Sequence, residues 1–196
     1  PADTTGPEIA IATPADGDVY VLNEVVPAVY ACTDPSGVDH CTGPVAPGAP
    51  IDTSRVGDHT FAVEAADTLR NSTFLAHHYR VVYAFSGFFS PVSMIGVNAV
   101  KAGRAVPIKF GLSGDQGLGI MAAGYPRSVE VPCGGGEPSD LIEETVSPGA
   151  STLSYDASED QYTYVWKTDK GWSGTCRMLV VQLADGETHT AEFRFR

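Results

Sequence analysis

The chain has no apolar run long enough to cross a membrane as a helix, no cluster of Lys and Arg, and almost no helical periodicity. Lys and Arg number 12 against 24 Asp and Glu, giving a formal net charge of −12 and a pI near 4.6. A surface of that sign repels phosphate backbones, so nucleic acid is excluded as the expected partner. The same charge keeps a secreted protein soluble. A secretory leader is also missing from the opening stretch. Pro1-Ala2-Asp3-Thr4-Thr5-Gly6-Pro7 reads as a linker running into a domain, and the expectation is a segment of a longer precursor. Arg196, directly after the strand-like residues 188–195, reads as a natural C-terminus.

What is present points to β-structure. The composition is 43% hydrophobic and 18% charged, within the range of a folded chain. Gly at 21 and Pro at 14 are scattered, as many short strands joined by tight turns require. Residues 9–11, 19–22, 25–33, 59–66 and 72–84 read as strands in a first half. Pro27 marks an edge or a bulge, and Phe61, Val63 and Ala65 share one face. In the second half, residues 106–112, 128–132, 151–155, 161–167, 175–183 and 188–195 read as strands. Gly134-Gly135-Gly136 reads as a loop, and residues 140–145 give the one candidate helical turn. Ala184-Asp185-Gly186-Glu187 is a hairpin signal. The uncharged stretch Ala84-Phe85-Ser86-Gly87-Phe88-Phe89 marks a boundary. Its Phe side chains are expected either between two domains or in the second core. The reading is all-β: two tandem β-sandwich (Ig-like) domains, residues 1–83 and 84–196.

Four cysteines allow three pairings. Pairing within domains gives Cys32–Cys41, across the turn Asp34-Pro35-Ser36-Gly37, and Cys133–Cys176. A zinc site would want two closely spaced pairs, whereas eight and forty-two residues intervene here. Disulfides imply an oxidising, secreted or cell-surface setting.

Two stretches resemble bacterial modules. Residues 3–83 are similar to Ig-like repeats of secreted bacterial proteins. The resemblance rests on Asp3-Thr4-Thr5-Gly6-Pro7-Glu8-Ile9, Pro14-Ala15-Asp16-Gly17, Tyr30-Ala31-Cys32-Thr33-Asp34 and Val56-Gly57-Asp58-His59-Thr60-Phe61-Ala62-Val63, running on to Asp67. The turn Thr68-Leu69-Arg70-Asn71 departs from such repeats, which carry Gly where Arg70 stands. Residues 83–196 resemble the C-terminal module named for its Pro-x-Lys-Phe motif, here Pro107-Ile108-Lys109-Phe110 after Lys101-Ala102-Gly103-Arg104-Ala105-Val106. Gly124-Tyr125-Pro126, Tyr162-Thr163-Tyr164-Val165-Trp166-Lys167 and Gly174-Thr175-Cys176-Arg177 add to it. The resemblance implies a position at the C-terminal end of a secreted bacterial protein, and the family comes with no established activity.

Candidate chemistry is sparse. Ser113 and Ser173 lie in Gly-x-Ser-Gly, which is not a nucleophile elbow, and His40, His59, His77, His78 and His189 stand beside no paired Ser or Cys motif. No enzyme is expected. Asp156, Glu159 and Asp160, like Asp16 and Asp18, read as solvated turn carboxylates. Asp3, Asp34, Asp67 and Asn71 could converge as oxygen ligands, so calcium is the one cofactor considered. Tyr162, Tyr164 and Trp166 share a strand face and suit sugar stacking if that face is outward. Thr163, Val165 and Lys167 opposite look more solvent-like, which favours core. Trp172, in a loop, is the better exposed candidate. Asn71-Ser72-Thr73 matches a glycosylation sequon. Val106, Ile108 and Phe110 are expected inward and Lys109 outward, with Pro107 at an edge. The expectation is a non-catalytic spacer and interaction segment whose partner is an upstream domain. Carbohydrate or cell-wall binding, and edge-to-edge self-association near Pro27 and Pro107, are the alternatives.

Overall fold

A computed structural model describes residues 3–134 and 152–196. The candidate helical turn at residues 140–145 lies outside the described residues, as do two of the three glycines of the 134–136 loop. The chain is all-β and divides into two compact units, Pro1–Val82 and Tyr83–Arg196. Tyr83 falls with the second unit, not the first. Its N–H donates to the buried Asp185 carboxylate at 2.8 Å, which fixes it there.

The first unit contains β1 (Glu8–Thr13), β2 (Val19–Val21), β3 (Val29–Thr33), β4 (Val38–Thr42), β5 (Gly57–Asp67) and β6 (Ser72–Val82). The pair β1–β3 faces the four-stranded sheet β2–β6–β5–β4. Alternation decides what is buried. Phe61, Val63 and Ala65 of β5 point inward with Tyr79 and Val81 of β6, and meet Ile9 and Tyr30 of the smaller sheet. The Tyr30 and Phe61 rings meet edge to face at 5.7 Å. Tyr30 also anchors the long loop after β4, since its hydroxyl donates to the Val45 carbonyl at 2.9 Å and accepts from Gly43 N–H at 3.1 Å. Pro27 does not lie in a strand as expected. It makes an isolated bridge to Pro50, and β3 begins only at Val29; a residue without an N–H donates no bond to a ladder.

The second unit contains β7 (Phe88–Phe89), β8 (Val97–Val100), β9 (Ala105–Phe110), β10 (Arg127–Val131), β11 (Thr152–Asp156), β12 (Gln161–Lys167), β13 (Cys176–Gln182) and β14 (Thr188–Phe195). One sheet is β10–β13–β14–β8 and the other β11–β12–β9–β7. Val106, Ile108 and Phe110 of β9 pack with Tyr162 and Trp166 of β12 against Leu179, Val181, Phe193 and Phe195 of the opposite sheet. Phe85 and Phe88 join this core, so those two uncharged-stretch side chains complete the second unit. Pro107 is buried in β9, whose partner β7 reaches only Lys109 and Phe110. The proline therefore sits beside the unpaired part of a strand that is not outermost in its sheet.

Both within-unit disulfides are present. Cys32–Cys41 joins β3 to β4, which belong to different sheets, and Cys133–Cys176 ties the segment after β10 to the start of β13. Their sequence separations are 9 and 43 residues. Loop-closure entropy then gives about 2.5 kcal/mol for the shorter loop and about 4 kcal/mol for the longer. We expect Cys133→Ala/Cys176→Ala to lower the urea midpoint more than Cys32→Ala/Cys41→Ala. Equilibrium denaturation of the two double variants checks the order.

Candidate functional site

The turn chemistry of the first unit brings distant carboxylates together. Register sets the ends: Glu8 opposes Thr33 and Ala66 opposes Ser72, so the start of β1, the end of β3 and the β5–β6 turn meet at one pole. Asp3, Asp34 and Asp67 there have carboxylate oxygens all within 4.8 Å of one another. Each is already committed to a turn. Asp3 accepts from Thr5 N–H at 3.0 Å and from the Thr5 hydroxyl at 2.7 Å. Asp34 accepts from the Ser36 N–H and hydroxyl, and Gly37 follows at φ 91°, a value glycine takes without strain.

Asp67, only 1% exposed, is the hub. It accepts from Leu69 N–H at 2.9 Å, Asn71 N–H at 2.7 Å, the Asn71 side-chain amide at 2.7 Å and the Ser36 hydroxyl at 3.2 Å. Arg70 within this turn stands at φ 71°, in the left-handed region that favours the glycine of similar repeats. The hydrogen bonds to Asp67 keep its backbone there.

Ser36 is a member of the cluster that the sequence reading missed. Its only signal was its place two residues after Asp34, the spacing of an Asx turn. The side-chain N–H groups of Asn71 donate to Asp67 and to the Asp3 carbonyl, 3.2 Å away. That occupies the nitrogen a glycosylation sequon would present. The three carboxylates offer oxygen only, the chemistry of a hard divalent cation rather than a soft one.

Hydrogen bonds set the acidity of the cluster. The Thr5 hydroxyl and N–H hold Asp3 below the usual carboxylate range. For Asp67, burial pushes upward, but donation from Asn71, Ser36 and Leu69 outweighs it and the group lies below the usual range.

The aromatic candidates are placed elsewhere and point inward. Tyr162 and Trp166 are buried, at 0% and 5% exposure, so neither is available to a sugar ring. The Tyr162 hydroxyl accepts from Gln116 N–H at 2.6 Å and lies 3.1 Å from the Gly117 carbonyl; burial is the main cause that pushes its pKa up to about 12. Tyr164 is half-buried against the same core. Trp172, the better candidate for exposure among these rings, caps the core end, as a loop Trp more often does. It packs 5.8 Å from Trp166 and 5.4 Å from Phe195, and the Arg177 guanidinium lies 4.2 Å over its ring. Ser128 and Glu130 hold that guanidinium through bonds of 2.9 and 3.3 Å.

The remaining polar candidates are engaged in structure. His59 bonds the Arg55 carbonyl at 2.8 Å and stacks on Tyr79, His77 bonds the Pro14 carbonyl at 2.8 Å, and His189 stacks on Phe85. His40 lies 3.5 Å from Asp39, and His78 the same distance from Asp16. Asp156 holds the turn at Ser158, and Asp18 accepts from Ala15 N–H and the Tyr20 hydroxyl.

No protein-family model matches the chain, and no curated protein matches it. Solved structures similar to it include fibronectin(III)-like modules of Clostridium thermocellum CbhA, at TM-score 0.34 and 12% identity, covering 96% of this chain and 93% of that one. Another is Bacteroides ovatus SGBP-B of a mixed-linkage glucan utilization locus, in complex with a mixed-linkage heptasaccharide, at TM-score 0.29 and 12% identity. A third is the extracellular cadherin domains 1–4 of protocadherin gamma B7, at 0.26 and 9%. The chain covers 47% and 48% of the latter two while 96% and 95% of it is matched. Likenesses this distant carry no functional argument.

Two outcomes follow from the geometry. A carboxylate whose acidity is increased by folding stabilises the fold above its unfolded value, near pH 4, and that stability is lost as pH falls through the depressed folded value. Asp67→Ala is therefore expected to lower the urea midpoint at pH 7 and to flatten the loss of stability below pH 4, both read by denaturation across pH. Arg177→Ala should uncover Trp172 and move the tryptophan emission to longer wavelength while far-ultraviolet circular dichroism stays unchanged.

Proposed function

We propose that this segment is a non-catalytic spacer of a secreted or cell-surface protein, one that holds a neighbouring domain of the same precursor at a distance. The observation that carries this reading is the course of the chain through each unit. It enters the first unit beside Asp3 and Glu8, at the pole where β3 and β5 end, and leaves at Val82, at the far end of the 11-residue β6. At the usual rise per residue, β6 alone spans about 36 Å. The second unit is traversed the same way. Tyr83 is tied to Asp185 ahead of β14, and Arg196 bonds Val100 beyond the other end of that strand. Passing from pole to pole separates, within each unit, the point where the chain enters from the point where it leaves; a fold with adjacent ends would not.

The resemblance to an Ig-like repeat followed by a Pro-x-Lys-Phe module agrees with such a role, as do two disulfides, which persist in oxidising compartments. Calcium at Asp3, Asp34 and Asp67 belongs to the same proposal, as a clamp on the entrance pole. A melting temperature that does not move with calcium or a chelator would leave that cluster with its turn-holding work alone.

The test is depletion of the purified chain by insoluble polysaccharides and bacterial cell walls, with and without calcium. The spacer reading expects no depletion by any polymer. Clear depletion by one of them would replace it with a carbohydrate- or cell-wall-binding module, which would need a surface other than Tyr162, Tyr164, Trp166 and Trp172.

A further inference from the structure

An open groove of about 520 Å³ lies in the second unit between the segment before β7 and the turns after β9 and β11. Phe85 and Phe89 form one side, and Glu159 and Asp160 the other. Gly111 is its floor. A Cβ at that position would stand 2.6 Å from the Ser86 hydroxyl and 3.4 Å from the tip of the Phe89 ring, so glycine is what lets these two close over it. Ser86 N–H donates to the Gly111 carbonyl at 3.2 Å and fixes that approach.

The two rings differ in what they have to offer. Phe85 stacks on His189 at 3.5 Å and meets Phe88 and Phe110, so it is committed to the core. Phe89 is half-buried, lies outside the core cluster and takes part in no ring contact among the described residues. On the acidic side Asp160 is held in place. Asp160, at φ 48°, accepts from Gly114 N–H and from the Tyr155 hydroxyl, both at 2.9 Å. Ser113 faces it at φ 59°. Asp115 and Asp156 add to the local field: together with Asp160 they act on Tyr155, which burial and these charges push above the usual phenol range. Lys109 is paired with Phe89 in the strand register but does not line the groove.

A negative field beside an aromatic ring and apolar walls favours one class of ligand. Small inorganic cations keep their hydration shell and gain little from a ring. A neutral ligand gains nothing from the negative charge. An organic ammonium ion, weakly hydrated and carried on apolar carbon, satisfies both sides. We infer that this groove binds an organic ammonium ion, with Phe89 against its alkyl face and Glu159 and Asp160 supplying the countercharge.

The test is a nuclear magnetic resonance titration of the intact chain at low salt with tetramethylammonium and with choline. Saturable shifts are expected at residues 85–89, 111–114 and 159–160. Glu159→Gln and Phe89→Leu, two changes that leave the core untouched, should each weaken binding by about threefold or more, the scale of one screened charge or one ring–cation contact. The uncharged carbon isostere of choline should bind at least about tenfold more weakly, the combined scale of both contacts. Absence of saturable shifts overturns the proposal. So does equal binding of the isostere, which would make the groove merely apolar. Shifts of equal size at Asp3, Asp34 and Asp67 would also overturn it, since they would show general counterion attraction to an acidic protein.

Discussion

Burial of alternate side chains between two facing sheets is the constraint on which everything else in this chain rests. In the first unit it is Phe61, Val63 and Ala65 against Ile9 and Tyr30; in the second it is Val106, Ile108 and Phe110 with Tyr162 and Trp166 against Phe193 and Phe195. Because side chains alternate along a strand, the inward choice of one residue fixes its whole strand, and a slip of one residue would expose the entire set. The registers between β5 and β6 and between β9 and β12 are therefore specified by the core. Those registers in turn decide which turns meet at which pole.

The turns carry most of the organised polar chemistry. An excess of acid over base would be a liability if the carboxylates stood idle and close together. Many of them instead accept backbone N–H and hydroxyl groups two to four residues away: Asp3 from Thr5, Asp34 from Ser36, Asp67 from Leu69 and Asn71, Asp156 from Ser158, Asp185 from Glu187. Such bonds stabilise the ionised form and fix the turn together, so charge and turn geometry reinforce each other. Asp67 and Asp185 are the two buried cases, and each sits where a strand pair must be closed or the chain must enter a unit.

The same logic explains why the aromatic residues are not a binding platform. Arg177 covers Trp172 and is itself held by Ser128 and Glu130, so a ring in a loop becomes a lid on the core. Phe89 differs because β7 is only two residues long: Phe88 turns inward, and its neighbour must turn outward. The Phe89 ring stands outside the core cluster and lines the groove together with Glu159 and the turn-held Asp160.

Much of the build was legible in the sequence, for identifiable reasons. Alternation in residues 59–66 and 106–110 showed which side chains face inward, because period two follows from strand geometry alone. Cysteine positions relative to the two halves pointed to both disulfides. Asp-x-Ser and Gly spacing marked the turns, because those bonds are local. What the sequence could not decide were relations between residues far apart. The meeting of Asp3, Asp34 and Asp67, the Arg177 cover on Trp172 and the groove beside Phe89 each depend on strand register and on which sheet covers which. Local spacing determines turns and strand faces through backbone geometry; only the packing of one sheet on another determines which turns and faces meet.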